Sequence, residues 1–395
     1  MQDVVILSAK RTPIGKFLGA LSSVAAPRLG AAALSAAASA AGADLADYQQ
    51  VLMGNVLQAG QGQAPARQAA IYAGLPKSVG AVTLHKVCGS GLRTVMDAAN
   101  GIRAGEWDLL LAGGMENMSQ SPHLLERSRG GYRMGEVKVA DSMIKDGLWD
   151  PYGDKHMGNC AELCAGKYEF TRESQDAFAL ASYQRAQAAI EAGQFDPEIA
   201  SVAVPQRKGD PIEVAKDEEP WAAPLDKMPK LRPAFQADGT VTAANASKLN
   251  DGAAALSIAS SEKAAALGAQ PMARIVSYAS HAQEPDWFTT APVEAARKAL
   301  AKANLKASDI DRWEINEAFS VVTMASIRDL ELAEDKVNVR GGAVALGHPI
   351  GCSGARILVT LLHTLEQENL RYGCASICIG GGEAAALVVE NLKVS

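Results

Sequence analysis

The sequence predicts an α/β fold made of two similar halves, with a loop-rich segment between them. Three observations support this prediction. One order of features occurs twice along the chain, apolar residues recur at helical spacing after a glycine-rich turn in each copy, and the intervening segment is dense in glycine, proline and charge. With 395 residues, 48% of them hydrophobic, the chain can bury more than one domain-sized core.

The first copy begins with a predicted strand at residues 4–7 and reaches a glycine-rich turn at residues 88–91. Another strand is predicted at residues 109–111, followed by Gly113 and Gly114. Between the turn and that strand, apolar residues repeat at the spacing of one helix face: Leu92, Val95, Met96, Ala99 and Ile102.

The second copy follows the same order. A strand is predicted at residues 273–276, a glycine-rich turn at residues 351–354, and a strand at residues 376–379 that runs into three glycines. The helix after the turn is indicated by four apolar residues: Ile357, Leu358, Leu361 and Leu362.

The segment between the copies, from about residue 119 to residue 250, breaks this pattern. A helix is predicted from about residue 172 to residue 192. The segments at residues 217–224 and 230–233 contain prolines and are predicted to be irregular loop. Loops carried by a rigid α/β scaffold are the usual place for substrate-binding parts.

Charge and composition exclude several classes of function. The net charge is only −6 and no long basic run occurs, so neither a nucleic acid nor an anionic membrane is predicted as a partner. No apolar stretch reaches membrane-spanning length, and the first residues lack a signal-peptide pattern. Six scattered cysteines indicate a reducing compartment, and we predict a cytoplasmic protein.

Cys88 is a candidate nucleophile. It lies where a short strand turns through glycines into a helix, a position at which a helix N-terminus lowers the pKa of a thiol and offers backbone N–H groups to an oxyanion. Position alone fits a small buried cysteine in front of a packed turn equally well.

Two further signals lie in the second copy. His348 stands between a glycine and a proline, a rigid setting that suits a general base, although a lone histidine is more often structural. Cys378 is followed by Ile379 and by bare backbone at residues 380–382, which lets a ligand approach closely. A tight turn would explain these glycines but not the cysteine.

These motifs, together with Asn316-Glu317-Ala318-Phe319, resemble the thiolase family and occur in the family's order. The resemblance covers nearly the full length and includes Arg11-Thr12-Pro13, Gly113-Gly114-Met115-Glu116, Leu231-Arg232-Pro233 and Asn250-Asp251-Gly252. It implies a five-layered αβαβα fold and an assembly of two or four chains, as a dimer or a dimer of dimers. The implied domains are a first half at residues 1–118 completed by 250–268, a loop domain at 119–249, and a second half at 269–395.

The resemblance also implies the chemistry of fatty acid metabolism on coenzyme A. Cys88 would carry an acyl group as a thioester with His348 accepting its proton, and Cys378 would remove the α-proton of a second acyl-CoA. The backbone N–H groups of Cys88 and Gly380 would form one oxyanion site, and His348 with a water held by Asn316 the other. The expected reaction condenses two acetyl-CoA molecules to acetoacetyl-CoA and CoA, and reverses, with no permanently bound cofactor.

Substrate-binding residues are likewise implied by the family. Leu231, Ala243 and Ser247 would flank the adenine and pantetheine of coenzyme A. The acyl tunnel would be lined by Leu148, His156, Met157, Phe235, Phe288, Ala318 and Phe319. Bulky residues favour short acyl groups, and the alternative is a 3-ketoacyl-CoA thiolase of longer chain length in β-oxidation. Two positions depart from the family pattern: Trp221 stands where an arginine is common, and Glu383 follows the glycine run without an assigned role.

Three other interpretations compete with this one. His156, Cys160 and Cys164 share a helical spacing that invites a zinc site, but no fourth ligand is near, so we predict no metal. A decarboxylating ketoacyl synthase shares the duplicated scaffold and the nucleophilic cysteine but lacks a cysteine acting as base. A lipid carrier or scaffolding subunit has no need of Cys88, Asn316, His348 and Cys378 together.

Overall fold

The first half of the chain supplies five strands and three helices. The computed structural model describes residues 2–394, so Met1 and Ser395, the outer ends of the predicted domains, lie outside the described residues. In chain order the elements are β1 (Val4–Arg11), β2 (Gly15–Lys16), α1 (Ala26–Ala41), β3 (Gln50–Gly54), α2 (Pro65–Tyr72), β4 (Gly80–Leu84), α3 (Ser90–Arg103) and β5 (Leu109–Asn117).

The middle segment is built from short strand pairs and two helices. Its elements are β6 (His123–Leu124), β7 (Ala140–Asp141), β8 (Trp149–Asp150), β9 (Lys155–His156), α4 (Met157–Tyr168), α5 (Arg172–Glu191), β10 (Val202–Val204) and β11 (Ile212–Val214). A π-helical turn covers Ile144–Leu148, and 3-10 turns cover Glu219–Trp221 and Leu225–Lys230.

The remaining elements complete the first half and form the second. They are β12 (Asn250–Ser260), α6 (Ser261–Ala266), β13 (Ala273–Ala282), α7 (Ala291–Ala303), β14 (Arg312–Ile315), α8 (Ser320–Asp329), α9 (Ala343–Leu346), α10 (Ile350–Gln367), β15 (Tyr372–Ile379) and β16 (Glu383–Asn391). None of the helices within residues 2–394 combines the length and the apolar character needed to cross a membrane.

The large sheet joins two copies of one strand arrangement. Its order is β14-β15-β16-β13-β1-β12-β5-β3-β4, with β2 pairing β12. The copies meet where β1 pairs β13 through only two residue pairs, Val5 with Arg274 and Ile6 with Ala273. Within each copy the outer strands are parallel: β3 pairs β4 and β5, and β14 pairs β15. The repeat that the sequence predicted is therefore present in the sheet.

Helices α3 and α10 form the middle layer between the two sheet halves. A central core combines residues of both helices, such as Leu92 and Leu358, with strand residues of both halves. A second core lies beneath α1 and α2, and a third beneath α7. This sequence of layers is the predicted five-layered αβαβα fold.

The central helices touch where glycines replace side chains. A Cβ atom added at Gly91 would stand 2.7 Å from the backbone N of Ala355, and one added at Gly354 would stand 2.4 Å from that of Leu92. Both distances are below van der Waals contact, so a larger residue would push the helices apart. The glycine-rich turns thus hold the starts of α3 and α10 against each other.

The middle segment is more regular than the sequence predicted. Helix α5 confirms the prediction for residues 172–192, and the Thr171 side chain caps it by accepting from the backbone N–H of Ser174 at 3.2 Å. For helix α4 the sequence offered only the helical spacing of His156, Cys160 and Cys164. Its residues are mostly small, and its buried face packs against α8 through Cys160 and Cys164. Tertiary contact stabilises this helix where local propensity is weak. The prolines at residues 220 and 229 are accommodated in 3-10 turns rather than in irregular loop.

Candidate active site

The loop that carries Cys88 is strained and tied down locally. Val87 has a φ of 45°, a left-handed conformation that a β-branched residue rarely adopts. The Ser90 hydroxyl donates to the carbonyl of Val87 at 2.6 Å and accepts from the backbone N–H of Lys86 at 2.8 Å. The N–H of Val87 donates to Nδ1 of His85 at 3.2 Å. Such strain persists only where surrounding contacts hold it, and it often marks a functional site.

Burial decides the protonation of Cys88. It raises the pKa of this thiol to about 12, and the backbone N–H groups of Gly380 and Cys88 offset that rise only in part. The backbone N–H groups at the start of α3 thus act in the predicted direction, but the net pKa is raised because loss of solvation outweighs them. The thiol is protonated at neutral pH and needs a base to become a nucleophile.

His348 is held as a neutral base. Its Nδ1 lies 2.6 Å from Oγ of Ser353, and that hydroxyl lies 2.9 Å from the carbonyl oxygen of Pro349. A carbonyl can only accept, so the single hydroxyl hydrogen goes to Pro349 and Nδ1–H donates to Ser353. The proton on Nδ1 leaves Nε2 as an acceptor, and within residues 2–394 Nε2 has no hydrogen-bond partner. Burial and the nearby Arg356 lower the pKa of His348 to about 3.

Asn316 and Cys378 lie at the same edge of the sheet. Strands β14 and β15 are parallel, with Ile315 opposite Ser376. Asn316 and Cys378 therefore both lie at the carboxyl ends of these two strands. The Asn316 side chain is buried, and neither of its amide atoms finds a partner among the described residues. Cys378 is fully buried, and burial together with the neighbouring Cys88 sulfur raises its pKa well above the ordinary value.

The structure brings the two thiols and the glycine turn together. The Gly380 N–H acts directly on the Cys88 thiol, and the two sulfurs are close enough to influence each other. A Cβ atom on Gly89 would stand 2.3 Å from the end of the Ile379 side chain, so the two loops are in contact. Cys88 also packs against the apolar cluster that contains Ile350, and Ile350 lines the same cavity as His348.

Glu116 supports this arrangement from beneath. Its carboxylate accepts from the backbone N–H groups of Val56, Leu57 and Gly351 and from the side-chain amide of Asn55, at 2.8–3.1 Å. Burial raises the pKa of this carboxyl to about 7. Glu116 thereby ties the end of β5 to the start of α10. The sequence placed it in a family motif without a role, because its partners lie far away along the chain.

The cavity beside His348 has a volume of about 470 Å³ and a mostly apolar wall. Six of the predicted substrate-binding residues line it: Leu148, His156, Phe235, Ala243, Ser247 and Phe319. Within the wall, His156 stacks on Phe235 with ring centres 4.7 Å apart, and Phe319 meets Phe235 edge-on at 6.0 Å.

Four predicted substrate-binding residues lie outside that wall. Met157, Phe288 and Ala318 pack in the cluster that contains Phe319 and Cys378, directly behind the cavity. Leu231 packs instead against a separate cluster that includes Met228.

Several cavity residues were not predicted, including Met118, Met143, Ile144, Glu219 and Lys248. The Lys248 ammonium is largely desolvated, which lowers its pKa to about 8, and it donates to the carbonyl of Ala246 at 2.6 Å. The Glu219 carboxylate accepts from the Asn250 amide at 3.0 Å. No short sequence pattern indicates that a charged side chain such as Lys248 will lie beside an apolar cavity.

The three residues weighed as zinc ligands have other partners. Nδ1 of His156 caps α4 by accepting from the N–H of Gly158 at 3.0 Å, and Cys160 and Cys164 are buried in the core. In residues 2–394 the atoms of one trio, Asp150, Cys160 and Asp286, lie within 4.8 Å of one another. The ammonium of Lys155 lies 2.7 Å from Asp286 and already supplies a positive charge to this trio.

Known proteins resemble this chain over its whole length. It is 53% identical over 392 residues to an acetyl-CoA acetyltransferase of Cupriavidus necator, covering 99% of this chain and 100% of the relative. It is 52% identical over 393 residues to acetyl-CoA acetyltransferase 2 of Arabidopsis thaliana, covering 99% and 98%.

Two crystal structures share the fold. One is a thiolase from Ascaris suum in complex with coenzyme A, with a TM-score of 0.94, 42% identity and coverage of 99% of this chain and 100% of that chain. The other is the acetyl-CoA acetyltransferase of Bacillus anthracis, with a TM-score of 0.97, 42% identity and coverage of 99% of both chains.

Two family models match the chain in succession, "Thiolase, N-terminal domain" over residues 4–262 and "Thiolase, C-terminal domain" over residues 269–391. Together with the layered fold, these matches show that the chain belongs to the thiolase family.

Proposed function

We propose that this protein is an acetyl-CoA C-acetyltransferase that condenses two acetyl-CoA molecules to acetoacetyl-CoA and CoA and catalyses the reverse cleavage. The observation that carries the proposal is the meeting of the Cys88 and Cys378 thiols beside the N–H of Gly380. Relatives about half identical to this chain are named acetyl-CoA acetyltransferases, which favours this activity over a β-oxidation enzyme for longer chains.

The first step loads Cys88. Nε2 of His348 takes the thiol proton, and the thiolate attacks the thioester carbon of the first acetyl-CoA. The N–H groups of Cys88 and Gly380 hold the oxyanion that forms. When the intermediate collapses, the CoA sulfur leaves with the proton of Cys378. The enzyme then holds an acetyl group on Cys88, a protonated His348 and a Cys378 thiolate.

The second step forms the carbon-carbon bond. The Cys378 thiolate removes an α-proton from the second acetyl-CoA, and burial makes this thiolate a strong base because its pKa is raised. Protonated Nε2 of His348, with a water held by Asn316, donates to the enolate oxygen. The enolate carbon attacks the Cys88 thioester, acetoacetyl-CoA forms, and the released Cys88 thiolate recovers its proton from His348. Protons balance over the cycle.

Two buried polar groups that lack hydrogen-bond partners in the described part of the chain support these roles. Nε2 of His348 and the Asn316 amide are buried without partners among the described residues. An unpartnered buried polar group costs about 1–3 kcal/mol, so such groups usually serve a ligand, a water or a reaction. A thioester oxygen and one water would satisfy both.

The cavity predicts a preference for short acyl groups. Phe235 and Phe319 line its wall, and Phe319 packs edge-on against Phe288, so bulky rings occupy the predicted acyl end. We expect kcat/KM for cleavage of acetoacetyl-CoA by CoA to exceed that for 3-ketooctanoyl-CoA by at least about tenfold, since each misfit methylene costs about 1–3 kcal/mol. Steady-state kinetics with both substrates measure this ratio. Faster cleavage of the longer substrate would contradict the short-chain proposal, and a requirement for malonyl thioester would indicate a ketoacyl synthase.

We also propose that the protein assembles as a dimer of dimers. Strand β4 forms one end of the large sheet and exposes Val82, and Ile71 and Tyr72 of α2 are exposed nearby in the chain. The exposed segment at residues 125–139 carries a fully exposed Met134. An open strand edge and exposed apolar residues favour pairing with another chain. Light scattering after size exclusion should give a tetramer mass, with Val82→Lys shifting it downward. A dimer mass would refute the association of two dimers, and a monomer at micromolar concentration would refute the whole assembly.

The proposed reaction uses coenzyme A thioesters as substrates and draws on no permanently bound cofactor, because each step is an acyl or proton transfer that the named side chains supply. It belongs to fatty acid and acyl-CoA metabolism. All six cysteines are free thiols, which favours a reducing compartment such as the cytoplasm.

A further inference from the structure

Cys88 is separated from its proposed partners by the boundary between the two halves. Cys88 precedes α3 in the first half, whereas Asn316, His348, Cys378 and Gly380 all belong to the second half. Both proposed steps need atoms from each side of that boundary. The position of the Cys88 loop relative to the second half therefore determines the reacting geometry.

One ion pair crosses the boundary beside the two cysteines. Nζ of Lys86 lies 2.5 Å from a carboxylate oxygen of Glu383, 297 residues away in sequence. Lys86 stands two residues before Cys88, and Glu383 follows directly after the glycine turn that contains Gly380. Both side chains are part-buried, with relative exposures of 25% and 36%, so solvent screens the pair only in part.

Each of the two segments is held within its own half, Glu383 by pairing with Ile379 and Ala282, and the Cys88 loop by the hydrogen bonds of Ser90. The Lys86–Glu383 ion pair connects the two segments across the boundary. The glycine turn has no side chains of its own, and Gly381 and Gly382 adopt left-handed φ values of 89° and 85°. On the other side, Val87 carries backbone strain. Glu383 is the first side chain after the turn, and Lys86 is the residue immediately before the strained position. Their ion pair therefore connects the residue that ends the glycine turn to the residue that precedes the strained Val87.

We infer that the Lys86–Glu383 ion pair is a positioning element for catalysis, which sets the distance between the Cys88 loop and the turn that bears Cys378 and Gly380. This inference rests on the roles proposed above for those residues. Neither Lys86 nor Glu383 touches the reacting atoms in the mechanism. The pair acts by holding the N–H groups of Cys88 and Gly380 at the separation that one oxyanion needs.

The test compares Glu383→Gln, Lys86→Met, the double variant and the exchanged pair Lys86→Glu/Glu383→Lys. We expect each single variant to lower kcat about tenfold with KM nearly unchanged, because small displacements of reacting groups slow turnover strongly. The double variant should be no slower than either single variant, since both remove the same interaction. The exchanged pair should recover at least half of the lost rate. Glu126→Gln, which removes the exposed ion pair with Lys145, is the matched control and should keep wild-type kcat.

Three outcomes would overturn the inference: single variants within twofold of wild-type kcat, multiplicative losses in the double variant, or no recovery in the exchanged pair. A merely structural role would lower the melting temperature and leave kcat of the folded enzyme unchanged, so melting curves accompany each variant. Labelling of the wild-type enzyme with acetyl-CoA separates this inference from the proposed function. If Cys88 is acylated but the variants turn over normally, only the positioning role fails; if Cys88 is never acylated, the proposed function fails.

Discussion

Cys88→Ala is expected to abolish both acyl-enzyme formation and turnover. The variant keeps the fold and the cavity but has no atom to carry the acetyl group, and removal of a nucleophile typically lowers kcat by a factor of about 10⁴ to 10⁶. Radiolabelled acetyl-CoA followed by gel filtration and peptide mapping measures the acylated fraction. Label on another active-site thiol of the Cys88→Ala protein would show that Cys88 is not the nucleophile.

Cys378→Ala should behave differently, because its thiol is required as a base rather than as the acyl carrier. We expect the variant to become labelled on Cys88, at a reduced rate, and to release almost no acetoacetyl-CoA. Cys374→Ala is the matched control: Cys374 lies on the same strand, β15, but packs in the core beneath α7. That control should label and turn over. Complete loss of labelling in Cys378→Ala with normal labelling in Cys374→Ala would contradict this expectation, because it would show that Cys88 cannot be acylated without Cys378.

His348→Asn is expected to give the second large effect, a fall in the rate of Cys88 acylation at pH 7 by a factor of about 10² to 10⁴. Without the base, the reaction must draw on the small thiolate fraction of a thiol whose pKa is about 12. The acylation rate of the variant should therefore rise about tenfold per pH unit as the thiolate fraction grows. Rapid-quench labelling between pH 6 and 9 gives this slope.

The wild-type protein should show a flat acylation rate from about pH 5 to pH 8. The basic form of His348 is the neutral one, and its lowered pKa of about 3 keeps it neutral throughout that range. An ordinary histidine would lose activity as the pH falls through about 6.5. An acid limb near that value would contradict the buried, neutral base, and His123→Asn, on the exposed strand β6, serves as the control.

The same burial has a consequence for stability. Between about pH 3 and pH 6.5 the unfolded chain binds a proton at His348 that the folded chain does not. The unfolded state therefore gains free energy from protonation as the pH falls, and the free energy of unfolding decreases across that interval. Burial of His348 thus keeps Nε2 unprotonated and lowers the free energy of unfolding in acid.

The local sequence was sufficient to predict the repeat and the helices after the turns, and it nominated the reactive side chains that the proposed mechanism uses. Helical spacing after Cys88 and Ser353 predicted α3 and α10, and glycines next to a cysteine or a histidine indicated where backbone approaches a ligand. Each of these signals depends on residues within a few positions of one another. The extent of helix α4 was not predicted for the complementary reason, since its glycines, asparagine and cysteines have weak helical propensity and the helix is stabilised by contact with α8.

The amino-acid sequence was enough to predict a duplicated α/β scaffold, and it nominated two cysteines, one histidine and one asparagine as the reacting groups. The charge state and the surroundings of these side chains became visible in the folded chain alone. It showed that burial raises the pKa of Cys88, that Leu231 lies away from the cavity wall, and that Glu383 pairs with Lys86. The physical reason is that solvation and ion pairing depend on neighbours hundreds of residues apart, which no local pattern encodes.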